Sequence, residues 1–194
     1  MRDAKRQRAN HGVTRFVVLF FIVGIVGMTS ADDFEWLKRE VPTVSIPHGA
    51  RTVDVNTVQA LRSAVSDAQD GDVIRVADGT YELDSFLGLY GKRNVMLIGA
   101  SGDPEKVVLK GRSWDVVDHQ DDILRIGDSE SITVAHLTFA ECHAYGIKVE
   151  AEKFPRDIHI FNCRFFNIAT RAIKGSTSQT GVAVGGSIRF CRSE

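Results

Sequence analysis

The chain reads as an all-β solenoid, a parallel β-helix of stacked coils entered through one N-terminal amphipathic helix. Three observations predict it. From residue 73 onward the apolar residues come in short β-rich runs separated by Gly, Asp, Asn and Ser, with no second helical pattern of comparable quality. Two of these runs superimpose at an offset of 26 residues. A hydrophobic content of 43% in 194 residues is sufficient for one buried core, which excludes global disorder.

The N-terminus is an address. Arg2, Lys5, Arg6, Arg8 and Arg15 precede an apolar run of 13 residues, Phe16 to Met28, and Thr29-Ser30-Ala31 follow. A basic n-region, an apolar h-region and small residues before the cut predict a signal peptide over 1–31 with cleavage after Ala31. The alternative is a membrane anchor formed by residues 16–28. Thirteen residues at ~1.5 Å rise span only about 20 Å, short of a ~30 Å hydrocarbon layer. Either way the remainder is exported, to the medium, the periplasm or the cell surface.

Whole-chain charge is −1; removal of residues 1–31 leaves 19 basic against 24 acidic side chains. A mildly acidic domain gives no electrostatic footprint for nucleic acid or an anionic membrane. Three cysteines (Cys142, Cys163, Cys191) exclude a disulfide-dense scaffold, and the odd number leaves at least one thiol free or paired between chains.

Residues 32–54, with Pro42 and Pro47, read as irregular. A helix is predicted over 57–69. Asn56 is the expected N-cap with Gln59 as its reciprocal partner, Val58, Leu61, Ala64, Val65 and Ala68 share one face, and Gly71 lies beyond the end. Strand runs follow at 73–76, 80–83, 94–98, 106–109 and 123–126. Then 131–139 aligns with 157–165, which sets Ile132 on Ile158, Val134 on Ile160, Leu137 on Cys163 and Phe139 on Phe165; Ile147 and Lys148 fall on Ile173 and Lys174. Val95 and Leu97 fill the same slots one turn earlier, and a third copy over 187–190 would place Ile188 above Ile158. A period in the twenties built from short strands is the signature of stacked coils about 4.8 Å apart. The helix face of Val58, Leu61 and Val65 is then expected to cover the first coil.

The stretch from Leu61 through Gly71-Asp72 to Gly79-Thr80-Tyr81 resembles the opening of right-handed parallel β-helix proteins of the pectate-lyase-like superfamily, and Asn162-Cys-Arg-Phe and Gly146-Ile-Lys-Val are similar to generic β-helix repeats. The likeness covers residues 55–192. It implies a right-handed coil and a carbohydrate-related role, within a superfamily that holds lyases, hydrolases, epimerases and non-enzymes. With Glu194 following directly on a strand, the expectation is a C-terminally incomplete β-helix that self-associates through an uncapped last rung.

Lys148 and Lys174 are expected to point outward on adjacent rungs, with Arg171 close by. Such cations can hold uronate carboxylates, and a lysine can abstract an α-proton in β-elimination; the resemblance implies a basic residue in that role without assigning a position. Against this stands the reading of solvated exterior lysines. In the acidic loop Asp115–Asp122, Asp118, Asp121 and Asp122 are hard oxygen ligands for a possible calcium ion, and no other cofactor is indicated. A polar connecting loop is the alternative. His136, His143 and His159 lack metal-ligand spacing, while Glu141 and His143 form a conceivable acid–base pair. Cys163, in the interior slot of Leu137, reads as a buried thiol. Cys191, one rung later near the level of Phe161, leaves a Cys163–Cys191 disulfide open. The turn glycines Gly175, Gly181, Gly185 and Gly186 make no nucleotide loop. Three functions follow: an exported polysaccharide lyase or hydrolase, a non-catalytic glycan-binding or structural module, or an inactive fragment of a longer protein.

Overall fold

A computed structural model of the protein describes residues 41, 43–115, 121–176 and 184–193. The predicted signal peptide over 1–31, with its alternative anchor over 16–28, and Asp118, Gly181 and Glu194 lie outside the described residues. Among those described, no helix is long and apolar enough to cross a membrane.

The chain winds through three parallel sheets in rotation. Sheet I collects β1 (Thr52–Val55), β2 (Val73–Val76), β5 (Met96–Gly99), β8 (Glu130–Ala135), β11 (Arg156–Phe161) and β14 (Val184–Arg189). Sheet II collects β3 (Gly79–Glu82), β6 (Val107–Lys110), β9 (Thr138–Cys142), β12 (Arg164–Ile168) and β15 (Arg192–Ser193). Sheet III collects β4 (Leu87–Tyr90), β7 (Leu124–Gly127), β10 (Tyr145–Glu150) and β13 (Arg171–Ser176). Each strand pairs in parallel with its equivalent on the next coil, so the protein is a β-solenoid of about four turns.

Alternation along each strand sends one residue in two to the interior, where like stacks on like. Ile74, Leu97, Val134 and Ile160 form one column. Tyr81, Leu109, Phe139 and Phe165 form a second, in which the Phe139 and Phe165 rings stack 5.3 Å apart. Ile132 lies beside Ile158, as the repeat predicts. Ile188 does not join them: it sits above Ile160, while Gly186 occupies the place above Ile158. The last turn is therefore 28 residues long rather than 30.

The corners are bent by left-handed residues that also stack. His136, Asn162 and Phe190 (φ 58, 44 and 55°) turn sheet I into sheet II, and Glu141 and Asn167 (53 and 50°) turn sheet II into sheet III. Their side chains bond across coils: Asn162 reaches the His136 ring at 2.9 Å, and Asn167 donates to Glu141 at 2.8 Å. Such links repay part of the strain of a non-glycine αL backbone.

The helix α1 (Val58–Ser66) is shorter than predicted at both ends: Thr57 rather than Asn56 caps it, accepting the Ala60 amide on Oγ1 at 3.1 Å, and it ends at Asp67, ahead of Gly71. Leu61 and Val65 are buried in the core at the start of the coil, as their spacing requires. Lys92 reaches back to the Ser66 and Ala68 carbonyls at 2.9 and 2.8 Å, satisfying the helix C-terminus with a cation. Three strands escaped the sequence reading. β1 falls within the stretch expected to be irregular, β4 was hidden by Gly88, and β15 is only two residues long. On the outer face of sheet I, Val73, Met96, Ile98 and Ala135 form a second apolar cluster against which Val44 and Ala50 pack.

Gly99 shows how close the coils come: a Cβ there would lie 2.1 Å from the His136 carbonyl oxygen. Backbone cannot yield as a flexible side chain can. Gly99→Ala is expected to destabilise the fold by about 2–3 kcal/mol, read as a lower urea midpoint.

Candidate functional site

The outer face of sheet III gathers three cations in register. Gly88 pairs with Arg125, Arg125 with Lys148, and Lys148 with Lys174. All three cations alternate with core residues (Leu124-Arg-Ile126, Ile147-Lys-Val149, Ile173-Lys174), so strand geometry aims them outward. Like charges stacked one rung apart repel, and the surroundings show what offsets this. Asp122 accepts from Arg125 Nε at 2.5 Å. Glu150 meets Lys148 at 3.4 Å and Lys153 at 3.1 Å. Lys174 donates to the Tyr145 hydroxyl at 3.0 Å.

Aromatic rings floor the same face. The Arg125 guanidinium lies 4.0 Å from the Phe86 ring centre, Lys153 4.2 Å from that of Tyr90 and Lys174 4.5 Å from that of Tyr145. Two glycines make room. A Cβ on Gly88 would fall 2.7 Å from the Tyr90 ring, and one on Gly127 3.0 Å from both that ring and Lys153. Arg62 of α1 fixes the approach to Phe86 by donating to the Ser85 and Phe86 carbonyls. Beside the Gly88 end opens a groove of about 390 Å³ lined by Arg62, Ser66, Phe86, Tyr90 and Lys92.

The two carboxylates on this face are driven in opposite directions. Burial pushes Asp122 up, and Arg125 and Lys148 only partly counter it; its Oδ1 is buried without a hydrogen-bond partner among the described residues. Burial also disfavours charge on Glu150, but Lys153, Tyr90 and Lys148 outweigh it and hold the carboxyl below its ordinary range. Tyr90 is pushed up to about 12 by burial and by the facing Glu150. Environments that separate the protonation of neighbouring acids are a mark of functional sites as well as of structural ion networks.

Lys148 and Lys174 thus stand together as the repeat predicts. Arg171 opens β13 beside Tyr145 and is exposed, three residues before Lys174. Arg125 was missed. Its signal was the apolar–cation–apolar triplet shared with Lys148, obscured by an interval of 23 residues in place of 26. In the acidic loop, Asp121 accepts from Arg112 at 3.3 Å and from the His143 amide at 3.0 Å, and Asp122 serves Arg125. Among the described residues no three His, Cys, Asp or Glu side chains gather as a cation site.

His136 is buried edge-on to Phe161, which lowers its pKa. Glu141 accepts from Asn167, while the His143 ring meets the Trp114 carbonyl at 3.1 Å, so these two side chains serve different partners. His159 lies between Asp157 at 2.8 Å and Ser187 at 2.9 Å on the outer face of sheet I. Its imidazole and that carboxylate are 40% and 49% exposed, which denies them the desolvated setting acyl transfer needs. Ser131 bonds Asp157 in turn at 2.9 Å, and the line stitches three coils together.

Cys191 stacks on Cys163 rather than near Phe161, because the last turn is 28 residues long. No protein-family model matches the chain, and neither does any curated protein sequence.

Proposed function

We propose that the protein is an exported right-handed β-helix of pectate-lyase-like type that binds acidic polysaccharide along the outer face of sheet III. One observation carries the reading: Arg125, Lys148 and Lys174 stand in register on a face floored by Phe86, Tyr90 and Tyr145. Cations repeating at about 4.8 Å suit a polymer with a carboxylate on each sugar, and rings suit the apolar faces of those sugars. The opening over residues 61–81 supports the family and the hand, and the basic and apolar segments before Ala31 support export.

Binding is favoured over proton transfer because Asp122 and Glu150 are buried at 3% and 4% exposure. A chain laid on the face meets the cations and rings, while the carboxylates beneath position them. A second reading, β-elimination with Lys174 as base, draws on one contact: its ammonium rests on the neutral hydroxyl and ring of Tyr145.

Affinity electrophoresis in polygalacturonate against dextran tests the proposal. Retardation is expected in the acidic polymer alone and should weaken as salt rises. Lys148→Ala with Lys174→Ala is expected to weaken binding roughly tenfold. Equal retardation by both polymers, or an unaffected double variant, would refute it. Growth of ultraviolet absorbance from an unsaturated product, lost in Lys174→Ala, would select elimination instead.

A further inference from the structure

Cys163 and Cys191 occupy equivalent corners between sheets I and II. The residues around them are in register: Phe161 with Arg189 before the corner and Arg164 with Arg192 after it. Even the sulfur environments repeat. Cys163 Sγ lies 3.4 Å from the Phe161 carbonyl oxygen and 3.7 Å from that of Val134; Cys191 Sγ lies 3.4 Å from Arg189 and 3.7 Å from Ile160. One thiol is therefore the other moved up a single coil. A translation of about 4.8 Å falls inside the 4.4–6.8 Å window of Cα separations that a disulfide spans. Below the two thiols the same corner holds Leu137, so the slot accepts an apolar group, which cystine is.

We infer that Cys163 and Cys191 are a disulfide-forming pair that ties β14–β15 to the coil beneath, with Cys191 as the attacking thiol and Cys163 as the resolving one. The order follows from access. Cys163 is 1% exposed, whereas Cys191 is partly open to solvent. Burial pushes the Cys163 thiol up, whereas the neighbouring Cys163 sulfur lowers Cys191. Thiolate character and exposure thus coincide on one partner. Cys142 is excluded. It lies at the corner between sheets II and III, fully buried, with its sulfur 2.7 Å from the Asp121 carbonyl oxygen and its pKa driven up to about 12 by burial.

The oxidant is a low-molecular-weight disulfide such as oxidised glutathione. Cys191 thiolate attacks one of its sulfurs, the S–S bond breaks, and one glutathione thiolate leaves. Cys163 then loses its proton to solvent, attacks the Cys191 sulfur and expels the second glutathione. Two protein thiols are oxidised by two electrons, and one glutathione disulfide is reduced to two thiols.

The test is a thiol count on the full chain equilibrated with oxidised glutathione, quenched with acid and denatured. Accessible thiols should fall from the three of the reduced chain to one, and a non-reducing peptide map should show Cys163 joined to Cys191. The oxidised chain should melt roughly 5 °C or more higher. Cys163→Ser should accumulate glutathione on Cys191, and Cys191→Ser should accumulate none on Cys163. Three thiols persisting in the folded chain, a link involving Cys142, or a Cys191–Cys191 dimer would overturn the inference. The count and the map use the unaltered protein, so they decide even where a variant fails to fold. Neither depends on polysaccharide binding.

Discussion

Phe139→Ala is expected to cost about 3–5 kcal/mol of folding free energy, measured by urea denaturation of purified protein. The ring is fully buried, lies above Leu109 and stacks on Phe165 with an interplanar angle of 13°. Truncation removes its transfer energy and leaves a void whose walls are backbone ladders pinned on both sides, so collapse into the hole is resisted. Against a typical net stability of about 5–15 kcal/mol, the loss is a large fraction. A double-mutant cycle with Phe165→Ala should give a coupling of about 1 kcal/mol. A loss below about 1 kcal/mol for Phe139→Ala would mean that this column is not packed as described.

Glu150→Gln should act on stability and on binding with opposite signs. The buried carboxylate neutralises Lys148 and Lys153 and lies in the field of Tyr90. An amide of the same shape leaves the two ammonium groups without their counter-charge, for an expected loss of about 1–3 kcal/mol at neutral pH. Because the folded-state pKa of Glu150 lies below its ordinary 4.5, its contribution is complete above that value. It disappears as pH falls through the lower folded-state value. The gap between wild type and variant should therefore be flat from neutral pH down to about 5 and close on further acidification. Meanwhile Lys148, released from its internal partner, should hold polygalacturonate roughly threefold more tightly at neutral pH. A stability difference that ignores pH, or binding that weakens, would contradict this account of the face.

How much of this was legible beforehand depends on coil length. Between the third and fourth turns every corner has the same size, so one offset of 26 places Ile158 on Ile132, Phe165 on Phe139 and Lys174 on Lys148. Elsewhere the interval changes from sheet to sheet. Leu97 meets Val134 across 37 residues and Leu124 meets Ile147 across 23. A fixed-period comparison cannot follow that, which is why Arg125 was missed and Ile188 was set on the wrong neighbour. The polar pairs Ser131/Asp157, His136/Asn162 and Glu141/Asn167 also repeat at 26, yet they read as ordinary loop residues. Only backbone dihedrals reveal them as bent corners joined by side-chain bonds. The separation of Asp122 from Glu150 in protonation was similarly invisible, since it arises from burial and from partners on other strands.

Those unequal intervals have an architectural consequence. Part of the extra length between β5 and β8 is taken up by the largely exposed excursion 100–106, while the interior columns continue without a break. A scaffold of this kind can exchange the ornaments at its edges without renegotiating its interior. Loop length and core packing are therefore set on separate stretches of polypeptide, free to diverge at different speeds.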